Sequence, residues 1–421
     1  MESALPANPT SGLHLAYAGL RVLDLSQGVA GPYCAQVLQQ LGADVVKLEP
    51  IQGDWSRTMG SARGGMSALA IAFNRGKRSL ACDVRRPEGQ TILVALAAQA
   101  DVVVQSFRPG VAERLGAGYA QVSSRNPAVI YVSISGFGLT GPYAALPATD
   151  SVAQAVAGMA RTNGTPDGSP AGARPYAADI VSGVYAANAA GAALFARERS
   201  PDYLGTHIDV SLLACLAAWQ NCLLVEHAWN GGLPPGPATV PQGFYETQDG
   251  HIVLVALDDR MFAAIADVLE RPDWLADPAL RKADGRKAAA AQLNQQIAAV
   301  VRTRPSAHWI ERFARANVLA APVARLPQLA DDPQVRHLGL LQPIPSPEGG
   351  PGSLPFAGLP GVAPGAHPAT EGVPAIGGHS AEILRSLQYD EASIARLADA
   401  GVIAVATAAG RSVFHPPTDL T

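Results

Sequence analysis

The sequence is sparing with charge and lacks the patterns that mark metal enzymes, disulfide scaffolds and nucleic-acid-binding proteins. Charged residues make up 16% of the 421 residues, the formal net charge is −4, and no block of like charge occurs, so we expect no nucleic-acid partner. The nine histidines form no HExxH motif or zinc-type cluster, which argues against a bound metal. The four cysteines form no CxxC pair, and we expect reduced, buried thiols.

The sequence also lacks a secretion signal and a convincing membrane span. Its N-terminus has neither the basic start nor the apolar core of a signal peptide, so we expect a cytoplasmic protein. The apolar run 180–196 is short for a bilayer, consists mainly of Ala and Gly, and contains Ser182 and Asn188. We therefore expect a buried helix that packs closely through small residues, and no membrane partner.

What the chain has in abundance is apolar residues, 48% of the total, arranged in alternating strand and helix patterns. Residues 20–25 (LRVLDL) predict a buried strand, 33–41 a helix and 43–48 a second strand. Strand, helix and strand within about 30 residues form a βαβ unit, which implies a parallel sheet with helices on its faces. The same alternation continues at 87–99 (helix), 101–105 (strand), 128–133 (strand) and 150–159 (helix). The sequence predicts an α/β fold with a Rossmann-like large domain.

The length predicts two domains, because 421 residues exceed one ordinary core. We assign 1–229 to the N-terminal part of the large domain. We assign 230–330 to a smaller inserted α+β domain that opens with a Gly- and Pro-rich loop and a hairpin around residues 248–250. We assign 331–421 to a crossing segment and a C-terminal return to the large domain, because the Pro- and Gly-rich stretch 342–378 is too long for an ordinary loop.

Asp179 is the most informative residue. It is the only charged side chain between Arg174 and Arg197, and it stands at the head of the Ala- and Gly-rich run DIVSGVYAANAAGAALFA. One interpretation is a helix N-cap, since Asp accepts hydrogen bonds from the first free backbone N–H groups of a helix. The other is a nucleophile or base held in a partly dry pocket at a helix start.

Three loops are candidates for ligand binding, and each has a plain structural alternative. The loop LSQGVAGP (25–32) follows the first strand but lacks the GxGxxG spacing, so it is either a ligand loop at a strand's carboxyl end or a tight turn. The basic cluster 74–79 (NRGKRS) suits phosphates or a solvated turn. In the segment 106–110 (SFRPG), Arg108 suits an anion and Phe107 a stacked ring, or the segment is a Pro-Gly turn with Phe107 in the core.

In this order the pieces resemble the class III CoA-transferases, the family that also contains formyl-CoA transferase, carnitine CoA-transferase and α-methylacyl-CoA racemase. The resemblance covers nearly the whole chain from Gly19 to Val402. It is carried by GLRVLDLSQGVAGPYCAQVLQQLGADVVKLEP (19–50), NRGKRSLACDV (74–84), QSFRPGVAERLG (105–116), SISGFGLTGPYA (133–144), DIVSGVYAA (179–187), HIDVSLL (207–213) and GGHSAEILRSLQY (377–389).

The resemblance implies a homodimer of interlocked chains, a large domain with an inserted small one, and a catalytic Asp at position 179. It also implies a set of CoA-binding positions, namely Val29, Ala30, Lys77, Ser106, Phe107, Arg114 and Leu115. CoA is then a substrate and no cofactor is bound permanently. Two positions depart from the family pattern: Pro50 stands where members often have Arg, and Ser106 where many have Asn. On this basis we expect Lys77→Ala to weaken CoA binding without unfolding the protein.

The loop that contains Gly231 and Gly232 occupies the region where transferases of this family carry a mobile glycine loop; an interdomain linker is the alternative. Asp258 and Asp259 follow the predicted hairpin and either face the acceptor or are solvated charges at a helix start. Racemases of the family have His before Asp where this chain has Thr149 before Asp150, and Thr cannot act as a base near neutral pH.

We therefore predict a CoA-transferase that moves CoA from an acyl-CoA donor to a free carboxylic acid through an aspartyl anhydride and an aspartyl-CoA thioester. A short dicarboxylate such as succinate is the expected donor or acceptor acid. The alternatives are a 2-methylacyl-CoA racemase or epimerase, and a non-catalytic CoA-binding protein on the same fold.

Overall fold

The structure is a computed structural model, and it describes residues 9–64, 66–165, 168–232, 236–347, 352–366 and 372–406. The chain divides into two compact units, one formed by residues up to Asn221 and from Arg336 onward, the other by Cys222–Val335. In chain order the described strands are β1 (Arg21–Asp24), β2 (Asp44–Glu49), β3 (Ala62–Arg63), β4 (Met66–Ser67), β5 (Arg78–Cys82), β6 (Val102–Gln105), β7 (Ile130–Ser135), β8 (Thr206–Ser211), β9 (Gln242–Glu246), β10 (His251–Val255), β11 (Leu319–Pro322), β12 (Leu341–Pro345), β13 (Ser353–Ala357) and β14 (Ile403–Ala404).

The helices alternate with these strands through most of the first unit. In chain order the described α-helices are α1 (Ala30–Gln40), α2 (Ala68–Asn74), α3 (Pro87–Gln99), α4 (Val111–Arg114), α5 (Tyr119–Ser123), α6 (Asp150–Val156), α7 (Met159–Thr162), α8 (Ala177–Arg199), α9 (Leu212–Trp219), α10 (Asn221–Trp229), α11 (Asp259–Val268), α12 (Pro272–Ala276), α13 (Ala283–Ala288), α14 (Ala290–Val301), α15 (Ser306–Arg315), α16 (Pro333–Leu338), α17 (Ser380–Ser386) and α18 (Glu391–Asp399). Short 3₁₀ helices lie at Pro9–Leu15, Trp55–Thr58, Pro278–Leu280 and Leu326–Asp331.

A seven-stranded sheet in the order β14-β5-β2-β1-β6-β7-β8 forms the centre of the first unit. All its neighbouring pairs are parallel except β14–β5, which is antiparallel. Successive residues alternate between its two faces, so that Val22 and Val102 join one buried cluster while Leu23 and Val103 join the other. The prediction of a mixed α/β fold with a largely parallel sheet is confirmed.

Helix α8 lies in the core on one face of this sheet and packs closely against α1. A Cβ added at Gly183 would come within 2.8 Å of the Ala30 carbonyl oxygen and 3.0 Å of Tyr33 Cδ1, so the absence of a side chain permits the approach. Helix α8 is also long and apolar enough to span a membrane on length and composition alone. Here it contributes Ala178, Ala186 and Ala190 to the first core cluster, as small-residue packing predicts.

The C-terminal part of the chain returns to the large sheet through β14 and through α17, which packs on β5. Part of the stretch 342–378, which was predicted to be a crossing segment, forms regular secondary structure. It contains the antiparallel pair β12–β13, in which Pro343 lies opposite Pro355. Residues 348–351 and 367–371 of this stretch lie outside the described residues.

The second unit combines the antiparallel sheet β11-β10-β9 with helices α11 to α15. Its own core includes Ile252, Phe262, Trp274 and Phe313, which are almost fully buried. Strands β9 and β10 form the hairpin that the residues 248–250 predicted. The cysteines are all unpaired; Cys34, Cys82 and Cys215 are buried as expected, but Cys222 is exposed.

Candidate active site

A cavity of about 490 Å³ lies in the first unit, at the edge where β1, β6 and β7 end. Strands β2 and β6 flank β1 on opposite sides, so the chain reverses its direction of sheet growth here, where open α/β sheets bind ligands. The described residues that line the cavity are Gln27, Val29, Ala30, Gly31, Trp55, Ser106, Phe107, Arg108, Pro109, Val111, Ile134, Ser135, Gly136, Ala144, Leu146, Pro147, Ala148, Thr149, Asp150, Asp179 and Leu212.

Asp179 lies in this cavity, in the first turn of α8, and it does not cap that helix. The capping carboxylate belongs to Asp150, whose Oδ2 accepts hydrogen bonds from the Ala178 N–H at 2.7 Å and the Asp179 N–H at 3.2 Å. Asp150 Oδ1 accepts a further hydrogen bond from Gln154 Nε2 at 2.6 Å. The N-terminus of α8 is therefore capped by Asp150, the first residue of α6, and not by Asp179.

The Asp179 carboxylate is half-buried and accepts no hydrogen bond from any residue that the structure describes. Burial, with the negative charge of Asp150 as a second cause, raises the pKa of Asp179 from 3.8 to about 7. A carboxylate with free lone pairs and little hydration is a better nucleophile than one in water. The cavity therefore holds an ionisable carboxylate that accepts no hydrogen bond from the described part of the chain.

Two loops complete the cavity wall near Asp179. Val29 begins helix α1 without a side-chain cap, and Ala30 follows it. Ser106 Oγ accepts a hydrogen bond from the Gln27 N–H at 3.2 Å, which joins the loop after β1 to the loop after β6. The Phe107 N–H donates to Gln105 Oε1 at 2.7 Å, so the second loop is also held to its own strand.

The model of CoA-transferase family III matches residues 17–380 of the chain. The protein belongs to CoA-transferase family III. It is 33% identical to the acetyl-CoA:oxalate CoA-transferase of Acetobacter aceti over 81% of this chain and 88% of that protein. It is 31% identical to the human succinyl-CoA:glutarate CoA-transferase over 91% of this chain and 89% of that protein. The crystal structure of a CaiB/BaiF family protein from Brucella suis superposes with a TM-score of 0.78 at 29% identity, covering 89% of this chain and all of that one. The chain is thus an enzyme of the CoA-transferase class.

The structure brings five of the predicted site residues of this CoA-transferase into one cavity. Asp179, Val29, Ala30, Ser106 and Phe107 all line it. Leu115 lies outside the lining and packs against the second core cluster. Arg114 is exposed and also lies outside the lining. The CoA contacts of these residues remain predictions.

Lys77 has a different environment from the one its charged sequence neighbourhood suggested. Its side chain is fully buried, and Nζ donates to Asp24 Oδ2 at 2.8 Å, to the Pro32 carbonyl at 2.8 Å and to Asn74 Oδ1 at 3.0 Å. Burial lowers the pKa of Lys77 to about 8 against the opposing effect of Asp24. All three ammonium donors are therefore used inside the protein, so in place of the earlier prediction we expect replacement of Lys77 to destabilise the fold.

Thr149 and Asp150 line the same cavity as Asp179. Among the described lining residues the ionisable ones are Arg108, Asp150 and Asp179, and no histidine stands at position 149. Asp150 is committed to the cap of α8. The transferase cavity thus lacks, within its described lining, a second free base to pair with Asp179.

Gln27, Trp55 and Arg108 also line the cavity of this transferase but were not among the CoA-binding positions that the family resemblance implied. Gln27 belongs to the loop 25–32 that was a candidate for ligand binding, Trp55 gave no chemical signal, and Arg108 was predicted only to suit an anion. Arg108 forms no ion pair with a residue that the structure describes. The sequence feature that could have indicated Arg108 as a binding residue is a cation placed just after the carboxyl end of a strand.

The candidates in the second unit have mostly structural contacts. Asp258 caps α11, accepting from the Met261 N–H at 2.7 Å, and Asp259 pairs with Arg286 at 2.9 Å and Lys282 at 3.2 Å. Gly231 and Gly232 follow α10 with φ values of 63° and 88°. Their role as an active-site loop stays a prediction.

Proposed function

We propose that the enzyme transfers CoA from an acyl-CoA donor to a short dicarboxylic acid through covalent intermediates on Asp179. The observation that carries this proposal is the Asp179 carboxylate, which lies in the cavity without a hydrogen-bond donor from the described protein. A thioester carbonyl can therefore be approached by that oxygen without first breaking a protein contact. Covalent catalysis divides one difficult exchange into easier steps.

The reaction can be written so that every bond and charge balances. An Asp179 oxygen attacks the donor's thioester carbonyl, the C–S bond breaks, and a mixed anhydride and CoA thiolate result. The thiolate attacks the Asp179 carbonyl carbon, the anhydride C–O bond breaks, and the donor acid leaves as a carboxylate. The acceptor carboxylate then repeats these steps in reverse order, which regenerates Asp179 and releases the new acyl-CoA.

No proton enters or leaves this sequence, so the site needs no acid–base pair. It needs an ionised Asp179, donors that stabilise each tetrahedral oxyanion, and exclusion of water from the anhydride. Backbone N–H groups of the glycine-containing loops are suited to the second task. With a pKa of about 7, Asp179 is about half ionised at neutral pH and mostly ionised above it.

The dicarboxylate class is supported by relatives named for oxalate and for glutarate with succinyl-CoA. Arg108 adds a cation to the cavity wall, which suits the second carboxylate of such an acid or an anionic group of CoA. Coenzyme A is a substrate in this scheme, and no permanently bound cofactor is required.

We also propose an interlocked homodimer in which residues 230–330 form a small inserted domain, as the resemblance to the family implies. The first unit leaves large apolar side chains exposed, namely Val184, Tyr185, Phe195 and Trp219, and a partner chain would cover such surface. CoA is proposed to contact Val29, Ala30, Ser106, Phe107, Arg114 and Leu115. The Lys77 ammonium group is left out of this proposal because its three donors are used within the protein. A cytoplasmic location, with acyl-CoA and carboxylate substrates and neither membrane nor nucleic-acid partners, completes the proposal.

The test is a panel of acyl-CoA donors and free acids, with the exchange products read by mass spectrometry. Transfer to oxalate, succinate or glutarate supports the proposal. The same assay in D₂O distinguishes a transferase from a racemase. A racemase would place deuterium at the α-carbon of a 2-methylacyl-CoA without any acceptor acid. Binding of CoA without either reaction would indicate a non-catalytic protein.

A further inference from the structure

A fully buried group of charged side chains lies beneath the loop that follows β1. Its members are Asp24, Lys47, Glu49, Asp54, Arg57 and Lys77. Three are acidic and three basic, so the group is balanced in charge. Burying ions costs desolvation free energy that their mutual attraction often fails to recover. Stability alone is therefore a weak explanation for this group, and the other contacts of its members matter.

Within this group, Lys47 and Asp54 form an ion pair at 2.9 Å, and both partners also bind the loop. Lys47 Nζ donates to the Ser26 carbonyl oxygen at 2.8 Å. The Asp54 carboxylate accepts from the Gly28 N–H at 3.2 and 3.3 Å. The two contacts flank Gln27, so the ion pair holds the peptide on either side of that residue.

Gln27 is one of the residues through which this loop lines the cavity. Its N–H donates to Ser106 Oγ at 3.2 Å, and it lines the same cavity as Asp179. Gly28 adopts a left-handed φ of +85°, and a Cβ there would come within 2.4 Å of Trp55 Cζ2. Trp55 directly follows Asp54, so one short segment both anchors the loop and covers it.

We propose that the Lys47–Asp54 pair is a positioning element that fixes the Ser26–Gly28 loop against Asp179, and that the rate of the covalent steps depends on it. Neither side chain touches substrate; both act through the loop backbone. A displacement of about 1 Å in a wall that faces the reacting carbonyl can cost about 100-fold in rate. The inference rests on the proposed function for its kinetic part and on the hydrogen bonds alone for its structural part.

The test compares Asp54→Asn with Glu49→Gln. Each neutralises one buried carboxylate of the same group, but the Glu49 carboxylate accepts hydrogen bonds from Arg57, Ser79 and the Asp54 N–H, and these do not involve the loop. In Asp54→Asn we expect kcat to fall 10- to 100-fold with less than a threefold change in KM for acyl-CoA. We expect Glu49→Gln to lose thermal stability comparably while its kcat stays within twofold of the wild type.

Hydrogen–deuterium exchange supplies a readout that does not require activity. The peptide that contains Gly28 should exchange at least 10-fold faster in Asp54→Asn and at the wild-type rate in Glu49→Gln. If Asp54→Asn fails to fold, Asp54→Glu serves instead, because it keeps the charge but moves the carboxylate by one methylene. The same fall in kcat and the same faster exchange of the Gly28 peptide are expected in that variant.

Equal exchange and equal kcat in the Asp54 and Glu49 variants would overturn the inference, because the pair would then only stabilise the fold. If the wild-type enzyme transfers no CoA at all, the proposed function has failed. The exchange comparison still decides in that case whether the pair holds the loop.

Discussion

At the scale of single residues, the site depends on two neighbouring carboxylates with different roles. Asp150 is buried and satisfied by three hydrogen bonds, two of them from the first turn of α8. Asp179 lies beside it without a donor from the described residues, and its pKa is raised to about 7. Asp150, which caps the start of α8, thus also helps to raise the pKa of Asp179, the proposed nucleophile.

Asp150→Asn should move the acidic limb of the pH–rate profile to lower pH. An amide oxygen still accepts the hydrogen bonds at the helix start, but the negative charge that helps to raise the pKa of Asp179 is gone. Burial is the larger cause and remains, so the limb should stay above the ordinary value of 3.8. The measurement is kcat/KM for acyl-CoA between pH 5 and pH 9; an unmoved limb would mean that another group titrates.

Asp179 should also make the stability of the protein depend on pH. Because its folded pKa lies above its ordinary value of 3.8, its contribution is fully present below that value and is lost as pH rises through about 7. Asp179→Asn removes this loss, so the variant should be more stable than the wild type at pH 8.5 and closer to it at pH 5. Urea denaturation at both values measures this, with Asp258→Asn, a substitution at an exposed cap, as a control that should be nearly silent at both.

The two basic residues predicted to bind CoA should now behave differently from each other. Arg114 is exposed, so Arg114→Ala should weaken CoA binding by about 1.5–3 kcal/mol, as for hydrogen bonds to charged groups, and leave stability unchanged. Lys77→Ala breaks a buried ion pair with Asp24 and should destabilise the fold by about 3–5 kcal/mol. Calorimetry with CoA and thermal denaturation separate the two effects; unchanged affinity in Arg114→Ala would remove it from the CoA site.

At the scale of elements, the position of Asp179 follows from the close packing of α8 on α1. Gly183 stands one turn after Asp179 and meets the backbone of Ala30, itself a residue of the cavity wall. Any change in the spacing of these two helices therefore moves Asp179, the proposed nucleophile, relative to the loop after β1.

Gly183→Ala should destabilise the protein by about 1–3 kcal/mol and lower activity, because the new methyl group forces the two helices apart. The matched control is Gly358→Ala, since a Cβ at that exposed glycine meets nothing within 4 Å and its φ is not positive. Thermal denaturation and kcat of both variants test the prediction. A Gly183 variant as stable and active as the control would show that the helices have room to move.

Elements with strong local signals were predictable from the sequence, and those that depend on distant partners were not. Helix α3 spans Pro87–Gln99 as predicted, because Pro at the first helical position fixes its start. Helix α1 begins at Ala30, earlier than the predicted Tyr33, since Pro32 is tolerated in a first turn. The β12–β13 pair was missed because its prolines indicate loop, although a two-stranded ribbon leaves edges where Pro is accepted.

The same limit applies to the candidate site. An isolated Asp before an apolar helix indicated Asp179 directly. Its partner Asp150 lies 29 positions earlier, and Lys77 binds Asp24 across 53 positions, so neither contact leaves a local pattern. The fold alone brings these residues together, which is why the sequence left Lys77 available for phosphates and could not show that Asp150, rather than Asp179, caps α8.

At the scale of the whole molecule, the proposed dimer would cover apolar side chains that the first unit leaves exposed. Among them Phe195 is 64% exposed and Trp219 is 50% exposed. An interlocked pair of chains cannot separate without unfolding, so the dimer should persist at any practical dilution.

Light scattering from micromolar to nanomolar concentration should report twice the mass of the 43.4 kDa chain throughout. Tyr185→Lys, at an exposed position on α8, should reduce the yield of folded protein rather than produce a stable monomer. A folded monomer at low concentration would contradict the interlocked arrangement.

The central claim is that Asp179 carries the covalent intermediates, and trapping them tests it most directly. Wild-type enzyme is incubated with acyl-CoA, quenched with hydroxylamine and digested with trypsin. Pro175 blocks cleavage after Arg174, so Asp179 lies in the peptide 162–197, whose only other carboxylate is Asp167. Fragment ions should place the hydroxamate on Asp179, and Asp179→Asn, whose amide cannot form the anhydride, should show neither label nor CoA exchange. An active Asp179→Asn enzyme, or a label on any other residue, would contradict the account.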